Sequence, residues 1–451
     1  MMAIVNFVVA IWVRIGMVLA GLWTLPRLIW LVLTTKGPKG KGFGGKVGAA
    51  LGNPKAQRLI FTFLRAFIPN LSLKAQLVKA YPNNGTVIVN RMADVREVID
   101  RNLDFEVVYE PKMRKITGGA NFFLGMQDTA LYQRDTSNMR LAMRRDDVAR
   151  LVQPPAASQA AAIVAGSPGR IDLPQALTLQ VPTSMVQGYF GIDQGTRQAL
   201  IDGATKMFWY LFIDLAGDPA IEADALRHAA ICREAITGSI QARKDHLKDD
   251  VISRCLALQA SGTPGLDDAG IRDNMIGLLI GAIPTLSKAS ILALDQIIDR
   301  PEVMARAQAA ARSGDQVAVG EILFEGLRFN PMNPIIYRRA ALDTVIAANT
   351  LRACRVRKGQ MVFAGNFSGM FDPLALDSPG SFRPGRPWHD YILWGAGMHT
   401  CFGDYINRAV IPAMLTPLLA RPNLRRAKGA SGQIDSGGTP FPQHWVLEWD
   451  E

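Results

Sequence analysis

The sequence predicts a mainly helical protein with small β-sheets. Apolar residues recur with helical spacing in five long segments, which are Leu173–Tyr189, Thr196–Leu215, Ala223–Lys248, Asp249–Ala260 and Ala269–Arg300. The last segment is the most apolar of the five, which predicts a helix in the protein core. Gly85–Asn90 is instead rich in β-branched residues, which is typical of a strand.

The composition indicates a globular protein with a large core. The chain has 451 residues, of which 49% are apolar, enough for one large domain or two to three ordinary ones. Its four cysteines have no paired spacing, which argues against a disulfide scaffold and suits a reducing compartment.

The net charge of +11 is concentrated at the N-terminus. Every charged residue before Asp94 is basic. A nucleic-acid-binding protein would more often spread its basic residues over the folded surface, whereas here they accompany an apolar segment. We therefore expect the partner of this region to be a membrane surface and not nucleic acid.

Residues 1–35 are apolar but interrupted by Arg14 and Arg27. A spanning helix is possible although a central arginine impairs it, and a helix lying in the membrane interface is the alternative. Three tryptophans suit the depth of lipid headgroups: Trp12, Trp23 and Trp30. A cleaved signal peptide fits less well, because no clear small-residue cleavage site follows.

A flexible, basic, glycine-rich segment follows at residues 36–46 and has the composition of a cytoplasmic flank. We predict that residues 1–50 form a hydrophobic anchor and a basic Gly/Lys-rich hinge. Residues 51–451 then form the main folded domain, associated with the membrane on its cytoplasmic side.

The region after the hinge alternates short elements. Residues 56–67 are amphipathic, and Ala93–Asn102 has helical periodicity with Val95, Val98 and Ile99 on one side. Residues 109–127 have little periodicity and predict a mobile loop. Asp128–Arg150 predicts an arginine-rich helix.

The segment Trp394–Gly403 combines glycines, a histidine and a cysteine, and it precedes a predicted helix at Asp404–Leu419. A Cys401 thiolate at this helix start would be stabilised by the helix dipole and by backbone N–H groups. Such a thiolate is a good axial ligand for haem iron. A buried structural cysteine, a zinc site with His399 and a dinucleotide-binding loop are the alternatives. The zinc site is disfavoured because the other cysteines are far away in sequence: Cys232, Cys255 and Cys354.

This segment resembles the haem-ligand loop of the cytochrome P-450 superfamily, Phe-x-x-Gly-x-His/Arg-x-Cys-x-Gly, with Trp394 in place of the phenylalanine. The resemblance extends over about residues 80 to 430 and implies the cytochrome P-450 fold, with an N-terminal membrane-associated segment added to it. It also implies a haem b cofactor whose iron is bound by Cys401. The other cofactor-binding positions that it implies are His399, Arg338, Arg140, Tyr132, Gly397 and Gly403.

The core helix contains Gly281-Ala-Ile-Pro-Thr-Leu-Ser287, which resembles the distal helix of that superfamily. By this resemblance Ala282 leaves room for O2 and Thr285 helps to deliver protons. The family has an acid where this chain has Pro284, and a proline cannot relay protons. A relay weakened in this way favours chemistry that needs no proton delivery, although Pro284 as a simple packing kink stays open.

Three charged residues complete the resemblance. Glu325 and Arg328 are one helical turn apart, and Arg386 follows in Phe382-Arg-Pro-Gly-Arg386. The resemblance implies that they form a buried ion triad that supports the cysteine loop. Burial of such charges is costly unless they are paired with one another.

The resemblance implies a monooxygenase that inserts oxygen into an apolar substrate, such as a lipid, a fatty acid or a terpenoid. Electrons would come from a separate ferredoxin or reductase, because no flavin or nucleotide segment is evident. The alternative is a fatty-acid hydroperoxide isomerase or peroxygenase that needs no reductase, which Pro284 favours. A non-catalytic haem-binding sensor is a further alternative.

Overall fold

A computed structural model describes residues 2–35, 46 and 53–451, and for residues 2–10 it describes the backbone alone. Most of the predicted hinge at residues 36–50 therefore lies outside the described residues. The division into an anchor at residues 1–50 and a haem domain at residues 51–451 stays a prediction.

Helices account for most of the described chain, which agrees with the predicted class. In chain order they are α1 (Met2–Thr34), α2 (Pro54–Phe67), α3 (Met92–Asp100), α4 (Glu110–Thr117), α5 (Ala130–Ala142), α6 (Gln153–Ala165), α7 (Gln180–Met185), α8 (Arg197–Phe208), α9 (Pro219–Asp245), α10 (Val251–Ala260), α11 (Asp268–Ile298), α12 (Pro301–Ser313), α13 (Gln316–Phe329), α14 (Asn366–Gly369) and α15 (Asp404–Leu419). Short π-helical turns lie at Val148–Val152, Pro174–Thr178, Val186–Phe190 and Trp209–Ile213.

The strands are short and form small sheets. They are β1 (Asn70–Leu73), β2 (Thr86–Val89), β3 (Phe105–Glu106), β4 (Arg170–Asp172), β5 (Ile336–Ala340), β6 (Thr344–Ile346), β7 (Cys354–Val356), β8 (Met361–Ala364), β9 (Arg425–Arg426) and β10 (Val446–Glu448). They pair in the orders β1-β2-β8-β5-β3, β4-β10-β9 and β6-β7.

The chain divides into two compact units. The first unit comprises Met1–Val78, Pro82–Glu106 and Arg328–Thr400. Its five-stranded sheet is antiparallel except where β2 runs parallel to β8, with Val87 opposite Val362. Helix α3 buries the predicted apolar stripe completely against this core: Val95, Val98 and Ile99.

Helix α1 packs on α2 in the first unit. A Cβ atom on Gly21 would lie only 2.7 Å from the Phe67 ring, so this glycine allows the two helices a close approach. The segment Ile11–Thr34 has a mean hydropathy of 1.7 and is long and apolar enough to cross a membrane, with 11% of it buried. The three tryptophans of this helix point away from the protein: Trp12, Trp23 and Trp30.

The second unit comprises Lys79–Tyr81, Val107–Leu327 and Cys401–Glu451. Its central element is α11, which packs against α8, α9 and α15. Helix α11 also passes the length and hydropathy test for a membrane span, but 78% of its apolar window is buried inside the protein. It is the predicted core helix, with Pro284 inside it.

Two local predictions were wrong. Residues 109–127, predicted as a loop, contain α4 and a 3₁₀ turn at Phe123–Gly125. Helix α4 is held by tertiary contacts, because its Met113 and Ile116 are fully buried and its Lys112 donates to the Tyr210 carbonyl at 2.6 Å. The helix predicted over Asp128–Arg150 ends at Ala142 instead.

Candidate functional site

Cys401 lies two residues before Gly403, the residue that precedes the first turn of α15. The backbone N–H of Asp404 donates to the Cys401 carbonyl at 3.2 Å, which fixes the turn into the helix. Cys401 is half-buried, whereas the other three cysteines are buried. Cys401 is therefore the one cysteine of the four that is not fully buried, and it lies at a helix start.

Several groups act on the charge of this thiol. Burial raises the pKa of Cys401, while the Gly403 N–H, the Asn407 side chain and the positive charge of Arg140 favour the thiolate. The Asn407 amide nitrogen lies 3.8 Å from the sulfur. A bound metal ion deprotonates a coordinating thiol outright, so these donors suit a cysteine that acts as a metal ligand.

Arg140, at the end of α5, is directed to the cysteine loop. Its Nη1 donates to the Phe402 carbonyl at 3.0 Å, and its guanidinium lies 3.8 Å from the centroid of the Phe402 ring. The same ring packs against Phe123 at 4.8 Å. Arg140 therefore supports the backbone beside Cys401. Its predicted role in cofactor binding stays a prediction.

Tyr132, the other predicted cofactor-binding residue of α5, is 8% exposed. Burial raises the pKa of its phenol, and the positive charge of Arg140 opposes that shift. Tyr132 thus lies within electrostatic reach of Arg140 in the same helix. Its predicted role toward the cofactor stays a prediction.

The middle of α11 exposes one stripe of an otherwise buried helix. Gly281 is exposed, and a Cβ atom added to it would meet no atom within 4 Å. Ala282 and Pro284 are buried, and Thr285 is half-buried with its hydroxyl donating to the Gly281 carbonyl. One turn earlier, a Cβ atom on Gly277 would lie 2.6 Å from the Phe122 ring, so the open stripe begins after that contact.

Three further predicted cofactor-binding residues lie in the first unit: Gly397, His399 and Arg338. Gly397 has a φ of +65°, and a Cβ atom there would lie 2.8 Å from Asp100 Oδ1 on α3. Both facts require glycine at this position. His399 is half-buried at the end of the 3₁₀ turn Gly397–His399. Arg338 lies on β5, 4% exposed, with its Nη1 donating to the Tyr337 carbonyl at 2.9 Å.

The three predicted triad residues are all buried. Arg328 and Arg386 donate to the same acceptor in the first unit, the Ser381 carbonyl, at 3.1 and 3.3 Å. Arg328 donates in addition to the Met370 and Pro379 carbonyls. Glu325 is fully buried in the second unit. The two arginines thus fasten the loop that ends at Arg386, and a three-way ion triad stays a prediction.

No protein-family model matches the sequence. The solved structures decide the fold. P450BioI in complex with hexadec-9Z-enoic acid ligated acyl carrier protein has a TM-score of 0.74 over 88% of this chain and 99% of its own, at 17% identity. CYP108D1 from Novosphingobium aromaticivorans has a TM-score of 0.70 over 90% and 98% of the two chains, at 20% identity.

The chain has the cytochrome P450 fold. Curated relatives match shorter stretches. A bifunctional dioxygenase–epoxy alcohol synthase of Pyricularia oryzae is 31% identical over 131 residues, which are 26% of this chain and 11% of that protein. Cytochrome P450 NovI of Streptomyces niveus is 25% identical over 266 residues, or 59% of this chain and 60% of its own length. The chain thus spans a small part of the fungal protein and less than two thirds of the bacterial one.

A cytochrome P450 fold implies a haem with a cysteine thiolate as its axial ligand. The residues of this chain fit that group in two respects. Cys401 is the accessible cysteine, with nitrogen donors directed at its sulfur. The stripe around Gly281 is open in a helix that is otherwise buried.

The sequence reasoning missed three functional candidates in the second unit. Asn407 contacts Cys401, and the Phe402 ring packs against the Arg140 guanidinium. Lys288 lies on the open stripe of α11. Only Lys288 has a signal in the sequence, because it is the single charged residue between Asn274 and Asp295. The other two depend on contacts between separate elements.

Proposed function

We propose that this chain is a haem-thiolate oxidoreductase that acts on an apolar small molecule and that Cys401 would hold the haem iron. The observation that carries the proposal is the accessible Cys401 at the start of α15, with Asn407 and Arg140 beside it, in a chain with this fold. The haem, when bound, supplies activation of O2 or of a peroxide bond.

The protein's own residues would bind the haem and orient the substrate. Cys401 would hold the iron. Gly397, with its φ of +65°, would let the backbone of the loop turn beside it, and the Gly403 N–H would donate to the sulfur. By resemblance, the residues that would bind the haem propionates are Arg338, His399, Tyr132 and Arg140. The open stripe at Gly281 and Ala282 leaves space next to the Thr285 hydroxyl.

In the first form of the proposal the protein is a monooxygenase, and Thr285 holds a proton donor near the reacting oxygen. Its hydroxyl donates to the Gly281 carbonyl, so its oxygen is free to accept from a water molecule. The electrons would come from a separate ferredoxin or reductase.

In the second form the protein rearranges a fatty-acid hydroperoxide, which needs neither a reductase nor an acidic proton relay. Pro284 favours this form, because it is buried where an acid would serve the relay. The partial likeness to the epoxy alcohol synthase of Pyricularia oryzae and to the linoleate diol synthase of Gaeumannomyces graminis gives further support.

We also propose that α1 associates with a membrane surface, with the folded part of the chain on its cytoplasmic side. The support is the exposed apolar surface of Ile11–Thr34, including Trp12, Trp23 and Trp30. Interfacial tryptophans and flanking basic residues are typical of such segments. Flotation of the full chain with anionic vesicles, compared with a variant carrying serine at the three tryptophans, tests this part.

The visible spectrum of the purified protein tests the central proposal. After reduction and exposure to carbon monoxide we expect a strongly red-shifted Soret band, and its loss in Cys401→Ser. Cys354→Ser is the matched control and should leave the band unchanged. A protein without haem, or a spectrum that Cys401→Ser does not alter, would refute thiolate ligation.

The two forms are separated by their oxidants. The monooxygenase consumes NAD(P)H and O2 in the presence of a ferredoxin and its reductase. The hydroperoxide-rearranging enzyme converts a linoleic acid hydroperoxide in the absence of both. Turnover under one condition alone identifies the form.

A further inference from the structure

Lys288 is an unusual charge in the middle of α11. It is the only charged residue between Asn274 and Asp295, and the helix around it is buried. Within the described part of the chain, Lys288 makes no hydrogen bond or ion pair. Its one polar interaction there is with the face of the Phe441 ring, whose centroid lies 5.5 Å from Nζ.

Lys288 shares a helix face with the open stripe. Gly281, Thr285 and Lys288 are spaced i, i+4 and i+7, which places them on one side of α11. Thr285 and Lys288 are half-buried, and Gly281 is exposed, while the neighbours Leu286 and Ala289 are buried. The ammonium group is therefore on the same side of the helix as the open space at Gly281.

A lysine in this environment is unfavourable without an anion. Burial lowers the pKa of Lys288 to about 8, with no carboxylate to offset it. A bound anion would pair with the ammonium group and stabilise its charged form, whereas a neutral apolar molecule would leave it desolvated and unpaired.

The surroundings of Lys288 specify the rest of the ligand. Phe441 packs against Phe208 at 5.6 Å, Phe208 against Phe212 at 4.7 Å, and Phe212 against Tyr109 at 4.7 Å. This aromatic row is suited to a hydrocarbon chain. A single ammonium group at one end of an apolar row matches a molecule with one negative charge at the end of an apolar body.

We propose that Lys288 binds the carboxylate of the substrate and makes this protein specific for long-chain carboxylic acids over their neutral analogues. This inference rests on the proposed function, because it names the substrate class of the same site. The apolar row of Phe208, Phe212 and Phe441 holds the hydrocarbon part, and the charge of Lys288 selects the acid.

The test compares dodecanoic acid with its methyl ester as ligands of the full-length protein, by calorimetric titration. Because a hydrogen bond to a charged group contributes about 1.5–3 kcal/mol, wild type should bind the acid at least about tenfold more tightly than the ester. In Lys288→Met the affinity for the acid should fall to that for the ester, with the ester unaffected. Lys288→Arg should keep the preference.

Lys248→Met is the matched control, because Lys248 is an exposed lysine of the same unit that pairs with Asp193. It should bind both ligands as wild type does. Equal binding of acid and ester by wild type, or an acid preference that survives in Lys288→Met, overturns the proposal. Lys288→Gln is a second neutral variant and should lose the acid preference as Lys288→Met does.

The carbon monoxide spectrum of the same samples separates the two proposals. A normal thiolate band with no acid preference refutes the role of Lys288 alone. An acid preference that depends on Lys288 in a protein without a thiolate band supports this carboxylate site and refutes the proposed function.

Discussion

The amide nitrogen of Asn407 lies 3.8 Å from the sulfur of Cys401, six residues before it in the chain. Asn407 is in the first turns of α15, where its backbone N–H donates to the Gly403 carbonyl at 2.9 Å. Because helical side chains tilt toward the N-terminus, the Asn407 amide is directed toward the loop before the helix, where Cys401 lies. A donor directed at the sulfur withdraws electron density from a thiolate.

Replacement of Asn407 by leucine, which has a similar shape and no donor, should make the iron harder to reduce. Loss of a long hydrogen bond worth about 1 kcal/mol shifts the ferric–ferrous equilibrium roughly fivefold toward the ferric form. Spectroelectrochemical titration measures the shift. Thr416→Val is the control further along α15. It removes a hydroxyl that donates to the Pro412 carbonyl and should leave the potential unchanged. An equal potential in wild type and Asn407→Leu would contradict this role.

Arg140→Lys should weaken the hold on the cysteine loop. Lysine keeps the charge but loses both the directed bond to the Phe402 carbonyl and the flat guanidinium that lies over its ring. We expect haem transfer to an apoglobin acceptor to be about fivefold faster, from a loss of about 1 kcal/mol. Arg134→Lys, in the same helix and paired with Asp135, is the control and should transfer haem at the wild-type rate. Equal rates in wild type and Arg140→Lys would show that the charge alone suffices.

Gly397→Ala should destabilise the first unit. A side chain at a φ of +65° costs about 1–2 kcal/mol, and the added Cβ atom would also lie 2.8 Å from Asp100 Oδ1. The midpoint of thermal unfolding should fall by several degrees. Gly380→Ala, in the same unit, meets no atom within 4 Å and should be neutral. A wild-type midpoint in Gly397→Ala would mean that the loop adjusts freely.

Pro284→Asp should raise turnover that depends on a reductase, if the missing acid limits proton delivery. A positioned general acid contributes a factor of about 10² or more. Turnover of a lipid hydroperoxide should not rise, because that reaction does not use the relay. Pro284→Ala removes the ring without adding an acid and separates the two effects. A rise that is equal in the aspartate and alanine variants would assign the effect to the helix kink.

Lys288→Met should stabilise the protein at neutral pH. Burial lowers the pKa of Lys288 to about 8 from its ordinary value of 10.5, so below pH 8 the folded protein carries a partly desolvated charge that the unfolded chain solvates fully. Between pH 8 and 10.5 the unfolded chain binds more protons, and the stability of wild type rises with pH. The advantage of the methionine variant should therefore shrink over this interval. Thermal melts of both proteins from pH 7 to 10.5 measure it, and an advantage that does not change with pH would contradict the assignment.

The local elements with strong periodicity were predicted well. Helix α15 begins and ends at the predicted residues, and α11 extends over Asp268–Ile298 where Ala269–Arg300 was predicted. The reason is that long apolar periodic segments carry their structure in the sequence itself. Helix α4 was missed because its stability comes from contacts of Lys112, Met113 and Ile116 with distant segments.

Three features of the site could be predicted because each belongs to consecutive residues: the cysteine at a helix start, the small residues of α11 and the proline in place of the acid. The groups that face these residues became known only from the packing of the folded chain. Arg140 meets Phe402 across 262 positions of the chain, and Phe441 meets Lys288 from the C-terminal segment. Such pairs are fixed by the packing of separate elements, and no local pattern encodes them.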